Sequence, residues 1–211
     1  DAVHMEEISG TGMEGFISVI PAGASSSVTG ATGEDAVFDS ITMSGTSNSD
    51  SQLYLERTRP DVINDVSFTT TGSGPGLYLA GNSPDSGSVS VTDFEGAHMR
   101  VVGCGWNVVA TDVSIDTDNT GVISNCASSS SSNTVTVGVF DMDYTGSSST
   151  IGASYAQNSR LTLADGTIDS DFANIGSAGL DGSARMIGIT YGTTECVTSS
   201  SAYSLTTCPA E

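Results

Sequence analysis

Lysine is absent from the 211 residues, and five arginines stand against 25 acidic residues, for a formal charge of −20. Without a basic surface to displace counterions from phosphates, nucleic-acid binding is excluded as a function class. An anionic membrane surface would repel the chain as well. No stretch approaches the roughly 20 apolar residues of a helical membrane span. His4 and His98 are the only histidines and no C-x-x-C spacing occurs, which leaves little for a zinc site. G-x-S-x-G, H-E-x-x-H and the Walker A phosphate loop are missing too. Charged residues make up only 14%, so this is not the charge-rich profile of a disordered chain. The chain starts at Asp1 rather than at methionine, as expected of a processed product or of a segment of something larger.

What is present is glycine, serine and threonine around 37% hydrophobic residues. Gly, Thr and Val are poor helix formers, so many short strands and tight turns are expected. Broken at its Gly/Ser/Asn turns, the chain falls into similar lines. They are "DVINDVSFTTTGSG" from 61, "SVSVTDFEGA" from 88, "NVVATDVSIDTDNTG" from 107, "TVTVGVFDMDYTG" from 134, "RLTLADGTIDSDF" from 160 and "RMIGITYGTT" from 185. Their opening strands step from Val62 to Val89, Val108, Val135, Leu161 and Met186, at intervals of 27, 19, 27, 26 and 25. A second ladder follows: "LYL" at 53 and 77, "MRVV" at 99, "GVIS" at 121, "STIGAS" at 149 and "ANIG" at 173. Each repeat therefore holds about three short strands. Within them Val66 and Phe68 alternate with Asp65 and Ser67, and Val113 and Ile115 with Asp112 and Ser114. Period-two alternation sends one set inward and the other to solvent.

This pattern resembles the right-handed parallel β-helix of the pectate-lyase-like superfamily, from about Phe16 to about Leu205. The resemblance implies an all-β fold, a right-handed parallel β-helix (β-solenoid) of about seven to eight coils. One domain would cover 1–211, with an N-terminal coil and edge over 1–33, regular coils over 34–191 and a disulfide-pinned C-terminal turn over 192–211. A β-sandwich would need hairpins, yet Asp165-Gly166 and Asp181-Gly182 are the only turn pairs of the Asn-Gly or Asp-Gly type. Propeller blades run nearer 40–50 residues.

Stacked coils give the cysteines a meaning. Cys104 and Cys126 are 22 residues apart, about one coil, and stacking would bring their Cα atoms to about 4.8 Å, inside disulfide range. A buried pair of free thiols is the competing reading. Cys196 and Cys208 would pin the last turn, and Trp106 would be a corner or cap residue. Oxidised local pairs point to an extracellular or cell-surface protein, and the missing lysine to a saline environment.

"DTDNTG" at 116–121 reads like half of a calcium loop, but the twelfth position is Ala127, where an EF-hand requires a bidentate Glu. Aligned from Val108, Val135 and Leu161, Asp116, Asp143 and Asp169 share one outward position, with Asp118 and Asp171 two residues on. These five form a possible Ca²⁺ site, because paired carboxylates supply hard oxygen ligands. The plainer alternative is an exposed acidic stripe that discourages aggregation. No cofactor is required.

Polysaccharide lyases of the resembled superfamily pair Ca²⁺-binding aspartates with a proton-abstracting Arg or Lys. That chemistry would fall to Asp93, Asp112 and Arg100, with Glu95 and His98 beside them. Ordinary surface pairing of Arg100 and a turn position for His98 are the simpler explanations. The function expected is therefore an extracellular structural or adhesive β-solenoid, self-associating end to end or within a larger surface assembly. A polysaccharide-binding or polysaccharide-cleaving protein is the alternative.

Overall fold

The computed structural model describes residues 4–11, 17–19, 32–44, 53–56, 58–69, 76–81, 86–117, 121–126, 134–145, 150–155, 158–169, 173–177, 183–191, 194–201 and 205–208. Among them are seventeen strands and no helix, as the Gly/Thr/Val-rich composition predicts. They are β1 (His4–Thr11), β2 (Ile17–Val19), β3 (Thr32–Ser44), β4 (Leu53–Glu56), β5 (Thr58–Thr69), β6 (Gly76–Ala80), β7 (Ser88–Gly96), β8 (His98–Val102) and β9 (Asn107–Asp116). There follow β10 (Val122–Asn125), β11 (Val135–Thr145), β12 (Thr150–Tyr155), β13 (Ser159–Asp169), β14 (Ala173–Ser177), β15 (Ser183–Tyr191), β16 (Thr194–Ser201) and β17 (Leu205–Cys208).

From β1 to β15 consecutive strands alternate between two sheets. A long-strand sheet runs β1-β3-β5-β7-β9-β11-β13-β15-β16, and a short-strand sheet runs β17-β14-β12-β10-β8-β6-β4-β2. Pairing is parallel except at one end, where β15 meets β16 and β14 meets β17 antiparallel. The two families of repeated lines separate cleanly: those from 61 to 185 become β5 to β15 of the long-strand sheet, and those from 53 to 173 become β4 to β14 of the short-strand sheet. One buried cluster draws on both sheets, including Phe38, Ile63, Val91 and Val113 from one and Leu53, Leu77, Met99 and Val122 from the other. This all-β, parallel arrangement is compatible with a β-solenoid.

The third strand of each repeat is accounted for by a bend. Each strand of the long-strand sheet from β1 to β13 contains one residue with φ between 50° and 55°: Glu7, Ser40, Asp65, Asp93, Asp112, Asp141 and Asp165. The neighbours on either side of these positions stay in register from strand to strand, as in Asn64↔Thr92 and Val66↔Phe94. The bend residue itself drops out of the ladder, but the register on its two sides is kept. Left-handed backbone is disfavoured for side chains with a Cβ, but Asp is among the few residues that visit it, its short polar side chain bonding locally. The motif is a bend residue, an apolar residue and then a hydroxyl or acid: "DVS" at 65 and 112, "DFE" at 93, "DMD" at 141 and "DGT" at 165.

Alternation holds on both sides of the bend, with Val66, Phe68, Val113 and Ile115 buried. The predicted register needs correction. Val108 pairs with Val137 rather than Val135, and Leu161 with Ala184 rather than Met186. Val62 pairs with Ser90 and is 38% exposed, while Ile63 takes the inward place. A slip of two residues preserves the inside–outside pattern, so in "VTVGV" hydrophobicity alone cannot distinguish one inward valine from the next.

Gly166 shows how closely the repeats approach. It has φ +130°, and a Cβ there would run into the Met142 backbone. Gly76 has φ +150° and meets the carbonyl of His98 in the same way.

Candidate functional site

The seven bends lie one above another along the long-strand sheet, and the last five are all aspartate, each exposed. Two residues on, a second outward ladder runs Ser9, Thr42, Ser67, Glu95, Ser114, Asp143 and Thr167. Here no two acids are adjacent. Ser67 donates to Glu95 Oε2 at 2.6 Å, and Thr167 donates to Asp143 Oδ1. Hydroxyl neighbours thus supply donors to carboxylates that would otherwise face like charge. Between the two ladders lies an open groove of about 380 Å³ lined by Asp112, Val113, Ser114, Asp141, Asp143 and Gly166.

The outer face of the short-strand sheet is different. Tyr54, Tyr78, Arg100 and Ile123 follow one another across β4, β6, β8 and β10. The tyrosine ring centroids are 5.0 Å apart with the planes tilted by 52°. The Arg100 guanidinium carbon lies 6.0 Å from the centre of the Tyr78 ring, within cation–π range. Tyr54 donates its hydroxyl to Glu56 Oε2 at 3.1 Å. Partial burial, together with the Glu56 charge, pushes the Tyr54 hydroxyl up to about 12.

Two further features knit neighbouring repeats together. Cys104 and Cys126 form a disulfide with Cα atoms 4.8 Å apart. Around it Ser86 donates to Cys104 O at 2.8 Å, Gly103 N donates to Asn125 O at 2.7 Å, and the Cys126 amide donates to Ser159 Oγ at 2.7 Å. Trp106 follows the Cys104 turn and is buried at the corner, its indole N–H donating to Gly81 O at 3.0 Å.

His98 is not an exposed turn residue: it opens β8 and is only 4% exposed. Its Nε2 has no hydrogen-bond partner among the described residues. Burial, with the nearby Arg100 charge adding to it, pushes its pKa down to about 4.

The sequence-predicted residues are distributed as follows. Asp116 is in register with Thr145 and Asp169, whereas Asp143 belongs with Ser114 and Thr167. The expected line of Asp116, Asp143 and Asp169 is therefore broken by a two-residue offset. Asp118 and Asp171 lie outside the described residues. Among the described residues no group of three His, Cys, Asp or Glu is placed to hold a metal ion. Asp93 and Asp112 are adjacent bend residues of the long-strand sheet, whereas Arg100 stands on the short-strand sheet, so the three are not brought to one sheet. Cys196 falls on β16 and Cys208 on β17, one in each sheet.

The aspartate bend ladder was missed from sequence, although its signal is present in the recurring Asp–apolar–Ser/Thr/acid triplet. The aligned tyrosines were visible as the two "LYL" lines. Among the described residues no helix is long and apolar enough to cross a membrane. No protein-family model, curated protein or solved structure matches the chain.

Proposed function

We propose that this chain is an extracellular structural or adhesive β-solenoid, an element of a filament or longer shaft at a surface, built like the parallel β-helices that its sequence resembles. The observation that carries this reading is the pair of parallel ladders over one shared apolar core. Backbone hydrogen bonds repeated in register from strand to strand resist bending, and each repeat buries its apolar face on the next. The disulfide between neighbouring repeats supports an oxidising compartment. The stacked acids support a side surface that resists lateral aggregation.

The reading also gives the ends a role. Among the described strands, β1 and β2 are each paired on one side only, while the opposite end finishes in the antiparallel strands β16 and β17. Unpaired strand edges are templates for further pairing. Because the two ends differ, assembly would be head to tail and polar. Calcium in this reading bridges carboxylates on the surface instead of filling a closed cage.

Negative-stain microscopy of the native protein, with and without a calcium chelator and across a range of salt, tests the proposal. Thin uniform filaments are the expected result, and their loss on chelation assigns the bridging role to calcium. Short separate rods at high protein concentration under every condition would overturn it.

A further inference from the structure

The two sheets differ sharply in charge. Counted along the strands, the long-strand sheet carries sixteen acids and three arginines, and the short-strand sheet carries Glu56 and Arg100 alone. Strands β10, β12, β14 and β17 have no Asp, Glu, Lys or Arg at all. A protein of charge −20 therefore has one long side that is close to neutral. On that side the Tyr54 and Tyr78 rings lie 5.0 Å apart, their planes tilted, with Arg100 over Tyr78 and Glu56 bonded to Tyr54.

We propose that the outer face of the short-strand sheet binds an uncharged glycan chain, with Tyr54 and Tyr78 as stacking surfaces and Arg100 as a hydrogen-bond donor. This goes beyond the structural role, and it uses a different face from the acidic groove. The C–H faces of pyranose rings pack on aromatic rings, while sugar hydroxyls need charged or amide groups at the edge. Tyr ring and Arg guanidinium together offer both. The Glu56 bond fixes the Tyr54 ring before a ligand arrives, which lowers the ordering cost of binding.

Shape and charge select this occupant. Eight strands at about 4.8 Å spacing, of three to six residues at about 3.3 Å each, make a strip roughly 34 Å long and 15 Å wide. A narrow strip fits a linear polymer better than a second globular surface. An anionic polysaccharide would meet the field of the whole molecule and be repelled, whereas an uncharged one would not.

The test is affinity electrophoresis and titration calorimetry of the full chain with galactomannan, hydroxyethyl cellulose and polygalacturonate. Retardation by at least one uncharged polymer is expected, weakened at least tenfold by Tyr78→Thr and little by Tyr78→Phe. If Tyr78→Thr does not fold, Arg100→Ser at an exposed position replaces it, with a several-fold loss expected. No retardation by either uncharged polymer, or retardation that these variants leave unchanged, overturns the proposal. So does tighter binding of polygalacturonate. Concentration-dependent dimerisation that Tyr78→Thr abolishes, without glycan binding, would instead assign the face to a second copy of the chain.

Discussion

Lowering the pH should expose His98 as a weak point in the core. An imidazole ordinarily titrates at 6.5, and burial together with the Arg100 charge brings His98 down to about 4. Between these values the unfolded chain holds a proton that the folded chain rejects, so stability falls as pH is lowered from about 6.5 to about 4 and then levels off. A shift of about 2.5 units corresponds to about 3 kcal/mol lost over that window. Nε2 has no partner among the described residues, so no described acceptor relieves the charged form at that nitrogen. The assay is urea unfolding followed by circular dichroism between pH 7.5 and 3.5, on the wild type and on His98→Gln. Protonation of surface carboxylates affects both proteins alike and drops out of the difference. The wild type should lose about 3 kcal/mol more than the variant across the window. Parallel curves for the two proteins would refute the reasoning.

The bend residues make a second case. Asp112→Val puts a β-branched side chain at φ 55° and should cost about 1–3 kcal/mol, whereas Asp112→Gly should be close to neutral; thermal melts of the two variants compare them. Reducing the Cys104–Cys126 bond opens a loop spanning 22 residues and should cost about 3 kcal/mol, read from urea midpoints with and without reductant on a Cys196→Ser/Cys208→Ser background. The five stacked aspartates repel by about 0.9 kcal/mol per neighbouring pair in water if their charges keep the strand spacing. Raising sodium chloride from 0.05 to 1 M should therefore increase the melting temperature, and the increase should shrink in Asp93→Asn/Asp141→Asn.

Much of this arrangement was legible in the sequence, because period two and recurrence are independent signals that agree. The lines "LYL", "LYL" and "MRVV" fall in register as Leu53↔Leu77↔Met99 and Tyr54↔Tyr78↔Arg100. The one-repeat spacing of Cys104 and Cys126 likewise anticipated their approach to 4.8 Å. The exact rung was harder to read. Three alternating valines, Val135, Val137 and Val139, are all inward and all fully buried, so burial is indifferent to which of them meets Val108. The bend was illegible for a different reason: an aspartate between apolar residues looks the same whether its backbone is extended or left-handed. His98 escaped because a single imidazole after Gly-Ala gives no periodic signal of its inward direction.

Successive bend residues are separated by as few as 19 positions, from Asp93 to Asp112, and by as many as 33, from Glu7 to Ser40. Pairing on both sides of the bend is nevertheless kept. The bend thus acts as a fiducial mark from which each repeat is counted, and differences in chain length are absorbed in the connections between the sheets. A whole repeat could be duplicated, deleted or exchanged and would find its place by its own Asp–apolar–Ser mark. On this logic the molecule is a scaffold whose connecting loops are free to diversify, while the spacing of its side surfaces stays fixed.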